Sequence, residues 1–358
     1  MRVVVTCDFF LKYAIAQSAA LARTGADVLL LCRDHPLEFA GDARERECAL
    51  TRAREAGVMI VEIPGRYWDL AAAPELKAIR KRVARFAADI LHAHQGADPR
   101  ALVLVPEVPT VLTVHDPKPH PGHPVARFAP KRWFLTKAAG AWLARASAIV
   151  VHSERLLKRI QLRAQRRCFV LPHGLDVRAE PLPLPSKLTV GFFGRLEPYK
   201  GLDVLATAMP HVWARRPGTS LRIAGSGPST FPLADSRVQI ERAYVPEAKI
   251  ADFFTATSLL VLPYTEASQT GAGSLAVGYG VPVVASRVGG LPELTLDETY
   301  LADPGDDVSL ASAIVRHIHD DGRVRARVLS EVATPRSWDA VSQESIAIYE
   351  ELVSRDHQ

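Results

Sequence analysis

The chain has few cysteines and no long apolar run. It contains four cysteines in 358 residues, spaced far apart, so buried free thiols are expected rather than a disulfide framework. They are Cys7, Cys32, Cys48 and Cys168. No stretch of about 18 residues is apolar and uncharged, which argues against a membrane-spanning helix, and the apolar run at the N-terminus is too short for a signal peptide. We therefore expect a cytoplasmic protein.

Acidic residues are scarce in the first half. Residues 1–180 contain 28 Lys and Arg against 18 Asp and Glu (net +10), and the remainder contains 16 against 21 (net −5), which together give the +5 of the chain. This basic half predicts either an ordinary solvated surface or an anionic partner. One such partner is the inner membrane surface, contacted peripherally by Lys131-Arg132-Trp133-Phe134 on a helix at 127–146; an ordinary amphipathic helix is the alternative. Zinc-finger spacing and basic-aromatic modules are lacking, so nucleic acid is not expected.

Strand and helix patterns alternate along the whole chain, which predicts an α/β fold with doubly wound parallel sheets. The expected strands lie at 2–7, 27–32, 59–64, 89–94, 109–115, 148–152, 168–172, 188–194, 220–225, 238–242, 259–264 and 282–286. The length favours two domains. The predicted organisation is a first domain at 1–180, a proline-rich linker at 181–187, a second domain at 188–335 and a C-terminal helix, within 336–358, that crosses back to the first domain.

Two segments of the second half have the features of a phosphate site. Strand 259–264 is continuously apolar, and Gln269-Thr270-Gly271 opens a helix of small residues, whose N-terminal amides and dipole favour an anion. Upstream, an apolar strand ends at Gly194, and the following loop carries Arg195 and Lys200. Together they predict a nucleotide diphosphate along the carboxyl ends of parallel strands.

Five segments, in the same order, resemble the donor domain of the retaining glycosyltransferases of family 4, which have the GT-B fold. They are Gly194-Arg195 to Lys200-Gly201, Leu221 to Pro228, Leu262 to Gly271, Gly280 to Glu293 and Asp303 to Asp306. The resemblance implies two Rossmann-like domains facing across a cleft, with the first domain binding the acceptor. It further implies a nucleotide-sugar co-substrate, most simply a UDP-sugar, and no metal or other cofactor.

The resemblance also implies roles for single residues. Arg195 and Lys200 would bind the donor diphosphate, amides around Thr270 and Gly271 its distal phosphate, and Glu266 hydroxyls of the donor sugar. The remaining donor-side positions border the sugar or the nucleotide, and are Gly194, Gly225, Gly227, Tyr244, Ser268 and Gln269. For Gly225 and Gly227 a purely structural role in turns is the alternative.

The first half resembles the acceptor domain less closely. A predicted strand delivers His115 to its carboxyl end, and the family pattern places such a histidine beside the donor sugar; a structural strand-end histidine is the alternative. The acceptor side would include Lys12, His94 and Asp116. The usual Gly-Gly loop is replaced by 8–13, where Lys12 would take over a phosphate contact. A metal site is not expected, because the histidines at 115–123 have no regular ligand spacing.

One departure from the family pattern concerns the nucleotide ribose. Alignment from Gly280 puts Leu275 where the second Glu of the family's pair is expected, and Ser274 also lacks a carboxylate. The sequence resembles a variant branch. We expect a hexosyltransferase that acts with retention on a hydroxyl of a glycan, a lipid-linked acceptor or a small molecule. The alternatives are a GT-B-fold sugar-nucleotide epimerase and a non-catalytic sugar-nucleotide-binding scaffold.

Overall fold

The chain forms two compact units in a computed structural model that describes residues 1–8, 10–34, 42–65, 72–115, 129–161, 166–267, 270–319 and 322–356. Unit 1 comprises Met1–Gly174 together with Trp338–Gln358, and unit 2 comprises Leu175–Ser337. The first unit is therefore built from two separate stretches of sequence, whereas the second is continuous.

Unit 1 contains a seven-stranded sheet in the order β3-β2-β1-β4-β5-β6-β7, and all of its strand pairs are parallel. The order reverses between β1 and β4, which confirms the predicted doubly wound sheet. The inner strands are almost wholly buried, as expected for a parallel sheet covered on both faces, whereas the edge strands β3 and β7 are only partly buried. The elements are β1 (Arg2–Cys7), α1 (Leu11–Arg23), β2 (Asp27–Arg33), α2 (Ala43–Glu55), β3 (Met59–Ile63), α3 (Ala73–Phe86), β4 (Ile90–His94), α4 (Ala101–Leu104), β5 (Thr110–Val114), α5 (Ala129–Arg145), β6 (Ala148–Val151), α6 (Glu154–Gln161) and β7 (Arg167–Val170).

Unit 2 repeats the design with a six-stranded parallel sheet in the order β10-β9-β8-β11-β12-β13. Here the order reverses between β8 and β11. The elements are β8 (Thr189–Phe193), α7 (Leu202–Arg215), β9 (Ser220–Ala224), β10 (Val238–Glu241), α8 (Glu247–Thr255), β11 (Leu259–Leu262), α9 (Gly271–Gly278), β12 (Val283–Ser286), β13 (Leu301–Ala302), α10 (Asp307–His317) and α11 (Gly322–Arg327). A π-helix at Val328–Ala333 follows α11.

The last helix, α12 (Trp338–Asp356), belongs to unit 1. Its residues Ile348, Tyr349 and Leu352 are buried in one apolar cluster with residues of β1, β2 and α1. At the other end of the helix, Trp338 packs edge-on against Tyr13 of α1, with ring centroids 4.8 Å apart. The C-terminal helix thus completes the core of the unit that begins the chain.

The proline-rich segment is part of unit 2 and does not behave as the free linker expected at 181–187. The chain enters unit 2 at Leu175, whose amide donates to the Arg336 carbonyl, and Leu182 is buried in the apolar core of that unit. Arg325, which is fully buried, donates to the carbonyls of Leu182 and Thr257. Leu182 and the carbonyls on either side of the Leu182–Pro183 bond therefore hold the segment to unit 2, which begins at Leu175.

Five of the described α-helices were not predicted from the sequence, namely α2, α4, α8, α10 and α11. In α2 the buried positions are Arg46, Ala49, Leu50 and Ala53, so the face that packs is short and carries a charged residue. Such a stripe gives little apolar periodicity, which is the signal on which helix prediction depends.

The thiols follow the expectation in part. All four cysteines are free, and Cys7 and Cys32 are buried at the ends of their strands. Burial raises the pKa of the Cys32 thiol to about 12, so it stays protonated at neutral pH. Cys48, however, is exposed and Cys168 half-buried, because these two lie on the outer face of α2 and on β7 at the sheet edge.

Replacing the buried Arg325 should destabilise unit 2. In Arg325→Met the carbonyls of Leu182, Pro183 and Thr257 lose their donors, so we expect the free energy of unfolding to fall by about 3 kcal/mol. Urea unfolding followed by circular dichroism measures the change. Arg323→Met, an exposed residue of the same helix, is the control and should change stability by less than about 0.5 kcal/mol. Equal stability of the two variants would contradict the role of the buried guanidinium.

Candidate functional site

The predicted phosphate segments of unit 2 lie on either side of the point where its strand order reverses. β8 and β11 are neighbours, with Leu259 opposite Val190 and Leu260 opposite Gly191. Both strands are fully buried, and each runs directly into its loop. In open parallel sheets a crevice forms at the carboxyl ends of such a strand pair, and ligands bind there. The strand order thus brings two segments that are far apart in sequence to one edge.

Two glycines allow the loops at this edge to touch through their backbones. Gly201 has φ +67°, and a Cβ there would lie 1.9 Å from the carbonyl oxygen of Pro263, in the loop after β11. Gly225, after β9, has φ +153°, and a Cβ would lie 1.8 Å from the carbonyl oxygen of Gly194. A side chain at either position would force the loops apart. The loops after β8, β9 and β11 therefore form one connected rim.

Three polar side chains at this rim, those of Lys200, Tyr264 and Thr270, are linked by hydrogen bonds. Lys200 follows a short 3₁₀ turn at Pro198–Lys200, and its Nζ lies 3.0 Å from the hydroxyl of Tyr264. The same hydroxyl lies 3.2 Å from Oγ1 of Thr270, the residue that begins α9. All three residues are buried, and Lys200 is only 8% exposed. Lys200 and Thr270 were predicted separately as phosphate ligands, and the Tyr264 hydroxyl lies within hydrogen-bond distance of both.

Among the described residues, no carboxylate is paired with the positive charge of Lys200. Within the described ranges, no Asp or Glu forms an ion pair with Lys200 or with Arg195, which is exposed beside Tyr199. A buried ammonium without a counter-ion is costly, so an anionic ligand would be favourable here. The Thr270 side chain does not cap α9, and a Cβ on Gly271 would meet no atom within 4 Å. The start of α9 is thus not capped by Thr270, and there is room beside Gly271 among the described residues, which is compatible with an anion at this helix N-terminus.

Other donor-side predictions are distributed around this rim. Glu266 and Gly227 are exposed, and Tyr244 is 43% exposed. Leu275, at the position of the expected second Glu, packs against the apolar core of unit 2. Ser268 and Gln269 lie outside the described residues.

Unit 1 contains a chain of buried histidines at the carboxyl ends of adjacent strands. His94 ends β4, and His115 and His152 follow β5 and β6 directly. His94 Nδ1 lies 3.0 Å from His115 Nε2, and His115 Nδ1 lies 3.0 Å from His152 Nε2. The chain ends at the Leu171 carbonyl, 2.9 Å from His152 Nδ1. Phe10 covers it by stacking on His115, at a centroid distance of 3.9 Å.

The Leu171 carbonyl determines where the protons of this chain lie. A carbonyl can only accept, so His152 carries its proton on Nδ1 and its Nε2 accepts from His115. By the same reasoning His115 accepts at Nε2 from His94. Burial lowers the pKa of His94 and His115 well below the usual range, so both imidazoles are neutral and their hydrogen bonds point toward the Leu171 carbonyl. His94 Nε2 must then accept as well, which assigns the amide nitrogen of Gln17, rather than its oxygen, to the position 2.8 Å away.

Two of the predicted acceptor-side residues, His115 and His94, belong to this row of hydrogen-bonded histidines. Both ring nitrogens of His115 are bonded to other imidazoles, so a ring-nitrogen contact to a sugar requires one of these bonds to open. His94 is fully buried in the same chain. Lys12 pairs with the Glu45 carboxylate at 2.9 Å, which opposes its expected use as a phosphate ligand. Asp116 lies outside the described residues. Among those that are described, no group of three or more possible ligands could hold a metal ion.

The predicted basic helix is present as α5. Trp133 is 64% exposed on it, with the Lys137 ammonium 5.9 Å from its ring, while Trp142 anchors the helix through a hydrogen bond to the Ala97 carbonyl. Within the described ranges, none of the helices is both long enough and apolar enough to cross a bilayer. Peripheral membrane contact stays a prediction of the sequence.

The fold defines a class of protein architecture. Two doubly wound parallel sheets on one chain are the arrangement of the GT-B fold. Solved structures support this: sucrose-phosphate synthase of Thermosynechococcus elongatus is similar over 99% of this chain and 100% of its own, with TM-score 0.67 and 18% identity. Anabaena HepE, solved with UDP and glucose, is similar over 98% and 99%, with TM-score 0.62 and 17% identity.

Sequence comparison gives the family. The family model for glycosyltransferase family 4 matches residues 12–179, and the model for group 1 glycosyl transferases matches residues 187–320. The chain belongs to this family. A D-inositol 3-phosphate glycosyltransferase of Corynebacterium efficiens is 33% identical over 193 residues, which are 49% of this chain and 45% of that protein. The chain thus spans about half the length of the first curated relatives it matches.

Acid should destabilise unit 1 through its neutral histidines. Burial lowers the pKa of His92 and His173 to about 3, and lowers those of His94 and His115 well below the usual range. The unfolded chain binds protons near pH 6.5 and the folded chain does not, so stability is lost as pH falls below 6.5. Between pH 7.5 and 5.5 we expect a loss of about 1.4 kcal/mol for each of the four histidines, measured by urea unfolding.

The exposed His211 of unit 2 provides the control for this prediction. Its side chain is 56% exposed, so His211→Asn should show the same pH dependence as the unchanged protein. An unfolding free energy that is equal at pH 7.5 and 5.5 would mean that the buried histidines gain protons in the folded state.

Proposed function

We propose that the chain is a glycosyltransferase that moves a hexose from a UDP-sugar to an acceptor hydroxyl with retention of anomeric configuration. The observation that carries this proposal is the buried Lys200 ammonium, without a carboxylate partner in the described residues, beside the open N-terminus of α9. Family membership supports sugar transfer, and the HepE complex with UDP and glucose supports the choice of UDP.

The chemistry required at this site is mainly electrostatic. A nucleoside diphosphate is the leaving group of a sugar nucleotide, and its departure places negative charge on the diphosphate. Lys200, the α9 amides and the exposed Arg195 can stabilise that charge without moving far. Because Lys200 is already held by Tyr264, little reorganisation is needed when the ligand binds.

Retention has two possible routes, which differ in their need for a nucleophile. Double displacement uses a carboxylate that attacks the anomeric carbon. In the described part of unit 2, no carboxylate bonds to the Lys200, Tyr264 and Thr270 side chains, and Glu266 is exposed after β11. We therefore propose a front-face reaction, in which the departing phosphate takes the proton of the acceptor hydroxyl and Glu266 contacts the donor sugar. The acceptor would be a hydroxyl of a glycan, a lipid-linked saccharide or a small molecule.

Removing the Lys200 charge should weaken donor binding strongly. In Lys200→Ala we expect the dissociation constant for UDP to rise at least about 30-fold, corresponding to the loss of about 2 kcal/mol for a charged hydrogen bond. Isothermal titration calorimetry measures it. Lys187→Ala removes the same charge from an exposed residue before β8, at the opposite edge of the sheet, and should bind UDP as the unchanged protein does. Equal binding by both variants would exclude this rim as the diphosphate site.

A panel of nucleotide sugars should distinguish the donor. Binding to the folded state raises the melting temperature, and we expect UDP-sugars to raise it more than GDP-sugars at equal concentration. A larger shift with a GDP-sugar would overturn the choice of base. The best donor should then be hydrolysed slowly to nucleoside diphosphate and free sugar, and Lys200→Ala should abolish this turnover. Epimerisation without release of nucleotide would favour an epimerase, and binding without turnover a scaffold.

A further inference from the structure

Tyr264 occupies the centre of the proposed diphosphate site but contributes no charge to it. It follows β11 by two residues and is 1% exposed, with its ring edge-on to Tyr199 at a centroid distance of 6.2 Å. Its hydroxyl lies 3.0 Å from Lys200 Nζ and 3.2 Å from Thr270 Oγ1. It therefore joins the loop after β8 to the first residue of α9.

The direction of these hydrogen bonds follows from the chemistry of their members. A lysine ammonium has three N–H donors and no acceptor, so Tyr264 must accept from Lys200. Thr270 Oγ1 is the one acceptor within hydrogen-bond distance of the phenol among the described residues, and a buried hydroxyl proton needs an acceptor, so we assign Tyr264 as the donor to Thr270. Thr270 consequently keeps its own hydroxyl proton available. Since its side chain does not cap α9, that proton can be donated to a ligand beside the helix amides.

We propose that Tyr264 is a positioning residue, which holds the Lys200 ammonium and orients the Thr270 hydroxyl as a donor toward the distal phosphate of a nucleoside diphosphate. This inference rests on the proposed function, because it assumes that the rim binds a diphosphate. Without the phenol, Thr270 is free to turn its hydroxyl to other acceptors, and Lys200 loses its neighbouring oxygen.

The Tyr264→Phe variant removes the hydroxyl and keeps the ring, so it distinguishes the contribution of the hydroxyl from that of the ring. The Lys200 Nζ lies 4.8 Å from the Tyr264 ring centroid, so a cation–π contact contributes to its placement and is retained in Tyr264→Phe. The variant removes only the two hydrogen bonds of the hydroxyl. Tyr300→Phe, which changes another buried tyrosine of unit 2 on the far side of the sheet, is the matched control.

The test compares diphosphate and monophosphate binding by calorimetry, with UDP and UMP, and with GDP and GMP in parallel. For the base that binds, we expect Tyr264→Phe to weaken the diphosphate about tenfold, the loss of about one hydrogen bond, and the monophosphate less than about twofold. Tyr300→Phe should leave both unchanged. Equal weakening of diphosphate and monophosphate would indicate a general structural role and overturn the proposal, as would unchanged diphosphate binding.

A second set of variants tests whether the two hydroxyls act in series. Thr270→Ser retains the hydroxyl and should bind the diphosphate normally, whereas Thr270→Val should weaken it about tenfold. The double variant Tyr264→Phe with Thr270→Val should be no more than about twofold weaker than Thr270→Val alone. Additive losses, near a hundredfold, would mean that Tyr264 does not act through Thr270 and would overturn the orienting role proposed for it.

Failure of this inference can be distinguished from failure of the proposed function. If Lys200→Ala strongly weakens diphosphate binding and Tyr264→Phe binds normally, only the role of Tyr264 is wrong. If Lys200→Ala binds as the unchanged protein does, the rim is not the diphosphate site and both proposals are overturned. Melting temperatures without ligand, within a few degrees of the unchanged protein, establish that each variant is folded.

Discussion

Parallel strand pairing is the constraint on which both candidate sites depend. Every described strand pair in the two sheets is parallel, so the carboxyl ends of all strands in a sheet lie at one edge. At the β8–β11 edge this places Lys200 beside the start of α9, and at the β4–β5–β6 edge it places three imidazoles in contact. Residues separated by tens of positions in the sequence meet because their strands end together. The same geometry thus yields a positively charged rim in one unit and a neutral chain in the other.

Much of this arrangement could be predicted from the sequence. Continuous apolar runs identified most strands, and the loops that follow β8 and β11 were recognised by their basic, small and glycine residues. The comparisons confirm the family and the fold. The hydrogen-bonded histidines also have a recognisable pattern in the sequence, since the predicted strands 89–94, 109–115 and 148–152 each end in histidine. His94 and His115 were predicted separately and His152 was not predicted, because only parallel pairing makes strand-end residues of one type neighbours.

The parts that could not be predicted depend on packing across the fold. Tyr264 lies inside a recognised segment, but its role follows from a contact with Lys200 that is 64 residues away in sequence. The proline-rich segment 181–187 has the composition of a linker, but the burial of Leu182 and the hydrogen bonds from Arg325 make it part of unit 2. Helix α2 packs through small residues and Arg46, which give little periodicity. In each case a tertiary contact determines what the local sequence leaves open.

The discontinuity of unit 1 has a consequence for biosynthesis. Unit 2 is one continuous stretch and can acquire its core as soon as Ser337 has left the ribosome, whereas unit 1 lacks α12 until the residues after Ser337 are made. During that interval the surface of α1 and β1 that will receive Ile348, Tyr349 and Leu352 stays uncovered. The domain synthesised first is therefore completed last, and its nascent form presents an apolar surface that chaperones can recognise.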